Sequence, residues 1–234
     1  MNFHIITIFP EAFDSYLKES IIGRAIKNKK ISVKFYNPRD FIKGNKTNYK
    51  PVDDKPYGGG PGMVMRAEPI LKAVEKVIGK IPARSTYSTA VAGMKNNKKI
   101  LIINFVPSAE KFTTSFAKKV SKKYTDIILI CGRYEGIDAR IDKILKTKRI
   151  SIGDYVLTGG ELPAMILVDC ISRQIDGVLG KYESLEEERI SSSEVFTRPE
   201  ILKYKNKQYK VPKVLLSGNH KEIENWKRIN NSQN

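Results

Sequence analysis

The chain has 234 residues, with 42 Lys and Arg against 25 Asp and Glu for a formal net charge of +17, and is 41% hydrophobic and 29% charged. That length and mix suit a globular protein of one or two domains with a real core, and no apolar run reaches the roughly 18 residues of a membrane span. Nor does a basic n-region precede the first apolar residues, so a secreted or membrane protein is not expected; the charge instead draws polyanions in a salt-dependent way and makes nucleic acid the leading partner class.

Residues 3–9 read as a strand, and residues 12–27 place Ala12, Phe13, Tyr16, Leu17 and Ile21 at the three- and four-residue spacing of an amphipathic helix. A strand over 31–36 and a helix over 68–78, with Pro69 at its start, follow. Residues 100–106 predict a buried strand, Ser108 caps a helix over 109–122, and residues 126–131 give another strand. Such alternation implies an α/β domain with a mostly parallel sheet. Residues 162–173 are apolar nearly all round, which predicts a helix buried on several sides, within the domain or against a second subunit. After Gly180 a polar stretch without periodicity reads as a linker, and a small basic tail ends in an element over 219–228 that opens on a capping-box pair, Asn219 and Glu222. Lysine-rich clusters fall at 27–30, 95–99, 118–123, 143–149 and 203–213. Cys131 and Cys170 lack a second Cys or His at ligand spacing and read as buried thiols, His4 and His220 as structural residues, and Trp226 as core.

Three loops stand out. Residues 151–163 pair Gly159 with Gly160 just ahead of the apolar helix, where glycine lets a ligand approach the backbone and Pro163 tolerates a first helical turn. Residues 131–138 directly follow a buried strand, the place where open α/β sheets bind ligands. Residues 52–63 are rich in glycine but have neither the Gly-Lys-Ser/Thr ending of a P-loop nor a G-x-G-x-x-G fingerprint, so neither an ATPase nor a Rossmann dehydrogenase follows.

In this order, the loops at 57–63, 131–138 and 151–163 resemble those of bacterial tRNA (guanine-N1)-methyltransferases, a family of knotted, SPOUT-type enzymes. The resemblance extends to Phe9-Pro10-Glu11, to Phe196-Thr197-Arg198-Pro199-Glu200 and to Leu216-Ser217-Gly218-Asn219-His220, and so covers nearly the whole chain. It implies a cytoplasmic homodimer: an α/β domain with a deep trefoil knot over residues 1–180, a linker over 181–197, and a small, mainly helical tRNA-binding domain over 198–234. The implied reaction moves a methyl group from S-adenosylmethionine to N1 of guanine 37 in tRNA, with Mg²⁺ assistance and no dedicated protein site for the ion. By the family pattern, Gly132, Tyr134, Glu135 and Gly136 form one wall of the donor pocket, and Ile152, Tyr155, Val156, Leu157, Gly159, Gly160 and Pro163 the other. Phe105 and Pro107 stand on a third loop, where Val106 and Ala109 depart from the usual serine and glycine.

Methylation at N1 requires a base for the N1 proton and a cation for the charge that gathers on O6. Arg173 matches the family's catalytic arginine, against the alternative of an i,i+4 ion pair with Asp169. The linker aspartate of the family falls on Glu188, although Glu187 or Glu194 can supply the carboxylate if the shortened linker takes another path. Asp54, Tyr57, Gly59 and Arg198 match substrate-side positions. Two rival readings stay open: a related knotted enzyme methylating another RNA site, and a basic RNA-binding protein without catalysis.

Overall fold

Runs of isoleucine, valine and leucine form the strands at the centre of the molecule, and short polar or glycine-containing stretches mark where helices begin. The computed structural model describes residues 1–44, 48–80, 85–86, 98–180 and 194–231. Strand β1 (Asn2–Ile6) leads through a 3-10 turn to α1 (Asp14–Leu17), α2 (Ser20–Lys27) and β2 (Ser32–Tyr36). The short pair β3 (Asp53–Asp54) and β4 (Val64–Met65) brackets the glycine loop, and α3 (Ala67–Lys80), β5 (Ser85–Thr86) and β6 (Lys98–Phe105) follow. Then come α4 (Thr114–Lys123), β7 (Asp126–Ile130), α5 (Arg140–Leu145), β8 (Lys148–Ile150) and α6 (Glu161–Ser172).

The main sheet has the order β2-β1-β7-β6-β5, and β8 also pairs with β6. Every one of these pairings is parallel, as the alternation of strands and helices predicts. Strand β7 is buried at all five residues, which is why it reads Asp-Ile-Ile-Leu-Ile and does not alternate. Phe3, Ile103, Ile127 and Leu129 meet α4 and α6 on one face through Ala117, Val120, Leu167 and Ile171. Ile6, Ile128 and Ile130 meet α3 and α5 on the other through Ile70, Val74, Val77 and Ile141. Each such side chain contributes about 1.5–3 kcal/mol by leaving water, so this double-sided core fixes the carboxyl ends of β6, β7 and β8 in one place.

The chain departs from its predicted elements where tertiary contacts override periodicity. Residues 12–27 do not form one helix: α1 and α2 are separated by a tight return in which Ser20 takes φ +49°. The return is so close that a Cβ on Gly23 would lie 2.3 Å from the Lys18 carbonyl oxygen. Helix α4 starts after the expected position, because residues 106–112 are drawn into long-range pairing; Thr113, and not Ser108, caps it by accepting from the Phe116 N–H at 3.2 Å. Elements α5 and β8 carry too few residues for a periodic signal. Cys131 is buried as expected, but Cys170 is only half-buried. His4 is buried against Asp126, in keeping with a structural role.

The described chain divides into two compact units, Met1–Leu179 and Gly180–Asn234. In the second, β9 (Ile201–Tyr204) and β10 (Lys207–Lys210) form an antiparallel hairpin, followed by α7 (Lys213–Leu216) and α8 (His220–Asn231). The tail is thus not built from helices alone; lysines at alternate positions hid the hairpin from a hydrophobic pattern. Asn219 does cap α8, accepting from the Glu222 N–H at 3.4 Å, and Trp226 is half-buried beside Phe196 with ring centroids 6.2 Å apart. Glu187, Glu188 and the rest of residues 181–193 lie outside the described residues.

Candidate active site

At the carboxyl ends of β6, β7 and β8 the first unit encloses a cavity of about 420 Å³. Its walls are three loops: residues 104–107, residues 132–139 and residues 149–163. All thirteen residues assigned to the donor pocket line this space: Phe105, Pro107, Gly132, Tyr134, Glu135, Gly136, Ile152, Tyr155, Val156, Leu157, Gly159, Gly160 and Pro163. Its size falls within the range of small-molecule sites, and the lining mixes apolar side chains with open backbone groups.

The loops are held against each other chiefly by main-chain contacts. The Gly160 N–H donates to the Gly132 carbonyl at 2.9 Å, and a Cβ on Gly160 would lie 2.6 Å from the Cys131 Cα. Two strands of backbone therefore cross where no other residue fits, which is the physical reason for glycine at this position. On the opposite side Ser151 donates its N–H to the Glu110 carbonyl at 2.9 Å and accepts from the Phe112 N–H at 2.7 Å. Residues 106–112 thus strap the start of the cradle. The Glu135 N–H donates to the Met63 carbonyl at 3.0 Å and the Met65 N–H to the Gly136 carbonyl at 2.9 Å, so β4 and the glycine loop border the 132–139 wall.

Beneath the cradle lies an ion pair that sequence reading did not single out. Glu161, only 3% exposed, accepts from the Thr7 hydroxyl at 2.8 Å and faces the Arg133 Nε at 2.9 Å. The geometry of the Arg133 contact is that of an ion pair and not of a well-aligned hydrogen bond. The same guanidinium stacks 4.6 Å above the Phe9 ring and reaches the Thr158 carbonyl at 3.4 Å. One arginine therefore joins the ends of β1 and β7 to the first turn of α6, where the helix N-terminus also favours the carboxylate. The only sequence signal was a glutamate in the first turn after two glycines. Asn104, Asp142 and Arg149 also line the cavity, with the Asn104 amide donating to Asp142 at 2.8 Å.

Cys131, at the end of β7, is buried, and burial, followed by the charge of Glu161, pushes its thiol pKa well above the usual value. Tyr16 donates to Asp169 Oδ2 at 2.5 Å, and this bond, ahead of burial, lifts the phenol to about 12. Asp169 thus has a partner other than Arg173.

Among the assigned residues of the first unit, Arg173, Asp54, Tyr57 and Gly59 do not line the cavity. Arg173 is the half-buried C-cap of α6, its N–H donating to the Asp169 carbonyl at 3.0 Å. At 1.5 Å of rise per residue it lies roughly 20 Å along the helix from Gly160, and it does not line the cavity. Asp54 is exposed and accepts from the Lys55 N–H at 2.8 Å; Tyr57 is fully exposed, and Gly59 sits at φ +78° with open space where a Cβ would be. Arg198 is an exposed residue of the second unit, and Glu188 lies outside the described residues.

A family model described as tRNA (Guanine-1)-methyltransferase TrmD matches residues 1–234. A tRNA (guanine-N(1)-)-methyltransferase from Clostridioides difficile strain 630 is 46% identical over 232 residues, covering 97% of this chain and 91% of that protein. Its counterpart from Buchnera aphidicola subsp. Acyrthosiphon pisum is 43% identical over 229 residues, covering 96% and 87%. Among solved structures, the tRNA (m1G37) methyltransferase of Aquifex aeolicus superposes with a TM-score of 0.72 at 36% identity, covering 98% of this chain and 88% of its own.

Proposed function

This chain belongs to the TrmD family of tRNA (guanine-1)-methyltransferases, and on that premise we propose that its cavity receives S-adenosylmethionine for methylation of guanine 37 at N1 in tRNA. The observation that carries the reading is the convergence of three sequence-distant loops, and all thirteen expected donor-side residues, on one cavity of about 420 Å³. Its fit to the donor rests on chemistry: apolar walls at Phe105, Ile152, Val156 and Leu157 suit an adenosine ring, and glycine-exposed backbone suits its polar edge.

When bound, S-adenosylmethionine supplies an electrophilic methyl group on a sulfonium. The chain's own part is to orient the base, remove the N1 proton and hold the charge left behind. A linker carboxylate, assigned to Glu188, takes the N1 proton, and the Arg173 guanidinium faces O6, where negative charge accumulates as the proton leaves. Asp54, Tyr57, Gly59 and Arg198 contact the tRNA, and phosphate contacts by the many lysines add affinity without sequence choice. Any assisting Mg²⁺ would be held through a carboxylate, RNA and water; among the described residues no group of three or more His, Cys, Asp or Glu is arranged to hold a metal.

The distance of roughly 20 Å between Gly160 and Arg173 favours a homodimer in which one protomer's Arg173 serves its partner's cavity. Leu162 and Ile166, 57% and 38% exposed on α6, support that contact face. A trefoil knot is favoured by the chain path: β8 lies on one side of β6, Ser151 is strapped by residues 110–112, and Gly160 emerges against Gly132 at the end of β7 on the other side. We assign the knotted domain to residues 1–180, a linker to 181–197 and tRNA binding to 198–234. The described residues include no helix long and apolar enough to cross a membrane, and a cytoplasmic location is proposed with the tRNA substrate.

The test is incubation of the full chain with labelled S-adenosylmethionine and an unmodified tRNA carrying guanine 37, with the product mapped by mass spectrometry. The expected product is 1-methylguanosine at that position. Methylation elsewhere, or donor and tRNA binding without turnover, refutes the reading.

A further inference from the structure

No described residue of the second unit is buried, and its hairpin leaves large side chains in water. The register of β9 and β10 pairs Leu202 with Tyr209 and Tyr204 with Lys207, so these four side chains share one face of the ribbon. Leu202, Tyr204 and Tyr209 are 56%, 61% and 53% exposed. Cross-strand pairing of these side chains stabilises the ribbon by only about 0.2–1 kcal/mol per pair and leaves more than half of each in solvent, and clustered exposure of this kind marks an interaction face.

Charge identifies the partner's chemistry. From residue 201 to residue 213 the chain carries Lys203, Lys205, Lys207, Lys210 and Lys213 and no acidic residue. The Lys205 ammonium stands 5.5 Å from the Tyr204 ring centroid. Cations interleaved with exposed tyrosines match a polymer that offers both phosphates and flat bases, and single-stranded nucleic acid supplies the two together at every nucleotide.

We propose that the β9–β10 ribbon docks an unpaired region of RNA, with Tyr204 and Tyr209 stacking on bases and the flanking lysines holding phosphates. Diagonal neighbours across an antiparallel pair lie about 7–8 Å apart, about twice the stacking separation of bases, so the two rings can hold one base between them. The inference rests on the tRNA reading above for the identity of the RNA, and not for the binding itself.

The experiment measures steady-state methylation and filter binding of an unmodified tRNA transcript by the full chain, with S-adenosylmethionine affinity as a check on folding. Tyr204→Ala/Tyr209→Ala is expected to weaken tRNA binding and raise its KM by roughly fivefold to 150-fold for one lost stack, with kcat at saturating tRNA unchanged. The corresponding Phe pair is expected to bind as the wild type does, and Lys207→Gln to flatten the log–log salt slope by about 0.7. Unchanged tRNA affinity in the Ala pair overturns the inference, as does an equal loss in the Phe pair. Loss of dimerisation in sedimentation without loss of tRNA affinity overturns it too, and gives the face to a second copy of the chain. A wild-type chain that binds tRNA through these tyrosines without methylating guanine N1 supports the ribbon and overturns the proposed activity.

Discussion

Replacing Gly160 with alanine tests whether the cradle depends on backbone crossing backbone. The added Cβ would lie 2.6 Å from the Cys131 Cα and 2.9 Å from the Gly132 nitrogen, against an ordinary contact of 3.4 Å or more. Relief therefore needs a displacement of about 0.8 Å, the difference of those distances, and neither neighbour is a flexible side chain that can step aside. The same shift stretches the 2.9 Å bond from the Gly160 N–H to the Gly132 carbonyl past hydrogen-bonding range. Overpacking of this kind costs about 1–3 kcal/mol, and an orphaned buried amide costs a similar amount. The two together come to about 2–6 kcal/mol, so for a unit of this size the expected result is a Tm lowered by about 4–24 °C and an S-adenosylmethionine affinity reduced at least about tenfold. Thermal unfolding with and without S-adenosylmethionine, together with calorimetric titration, reads both quantities. Gly79→Ala is the matched control: Gly79 lies in α3 with no atom of the described residues within 4 Å of its Cβ position, so alanine there should stabilise by about 0.5–1 kcal/mol. Wild-type Tm and donor affinity in Gly160→Ala would refute the crossing as the reason for glycine.

Glu188→Gln is expected to abolish methyl transfer while leaving S-adenosylmethionine binding intact; unchanged single-turnover rates remove Glu188 from the mechanism. Arg173→Ala should lower kcat by about 10²–10³-fold, the loss typical of one oxyanion-stabilising donor, and an effect confined to KM for tRNA would reassign it to binding. Asp126 provides a pH test. Burial alone would raise its pKa from the usual 3.8, but hydrogen bonds from His4, Thr125 and Asn2 outweigh it and hold the carboxyl down at about 2. A depressed folded-state pKa contributes stability above about pH 4 that is lost as the pH falls toward 2. In urea titrations the gap between wild type and Asp126→Asn should therefore shrink across that window by about 2 kcal/mol, and a gap constant from pH 6 to pH 2.5 counts against the linkage.

What could be read from the sequence follows the range over which each determinant acts. The strands β1, β6 and β7 were visible because burial on both faces demands apolar runs, a demand that every residue of the run meets by itself. The donor-side cradle was visible for a different reason: its contacts are made by backbone, so its signature is glycine at Gly132, Gly136, Gly159 and Gly160, together with resemblance to a family. The start of α4 was not visible, because Ser108 is a sound local cap and only the claim of Ser151 on residues 110–112 displaces it. That contact spans some forty positions of sequence and leaves no periodic trace.

The ion pair of Arg133 with Glu161 was hidden by the same logic. Each residue alone looks like a charge near a loop, and the pairing exists only because α6 begins where β7 ends. Its consequence is that the cradle's polar support and its glycines are coupled: a Cβ at Gly159 would lie 2.4 Å from the Arg133 Nε and 2.6 Å from the Glu161 Oε2. Gly160 keeps two backbones together, while Gly159 leaves room for the ion pair that anchors them to β1 through Thr7 and Phe9. The double glycine therefore answers two separate steric demands, one on the main chain and one on a buried charge, so replacements at the two positions should fail in different ways. A side chain at Gly159 can be accommodated by moving the arginine, at the expense of the ion pair. At Gly160 only the fold itself can move.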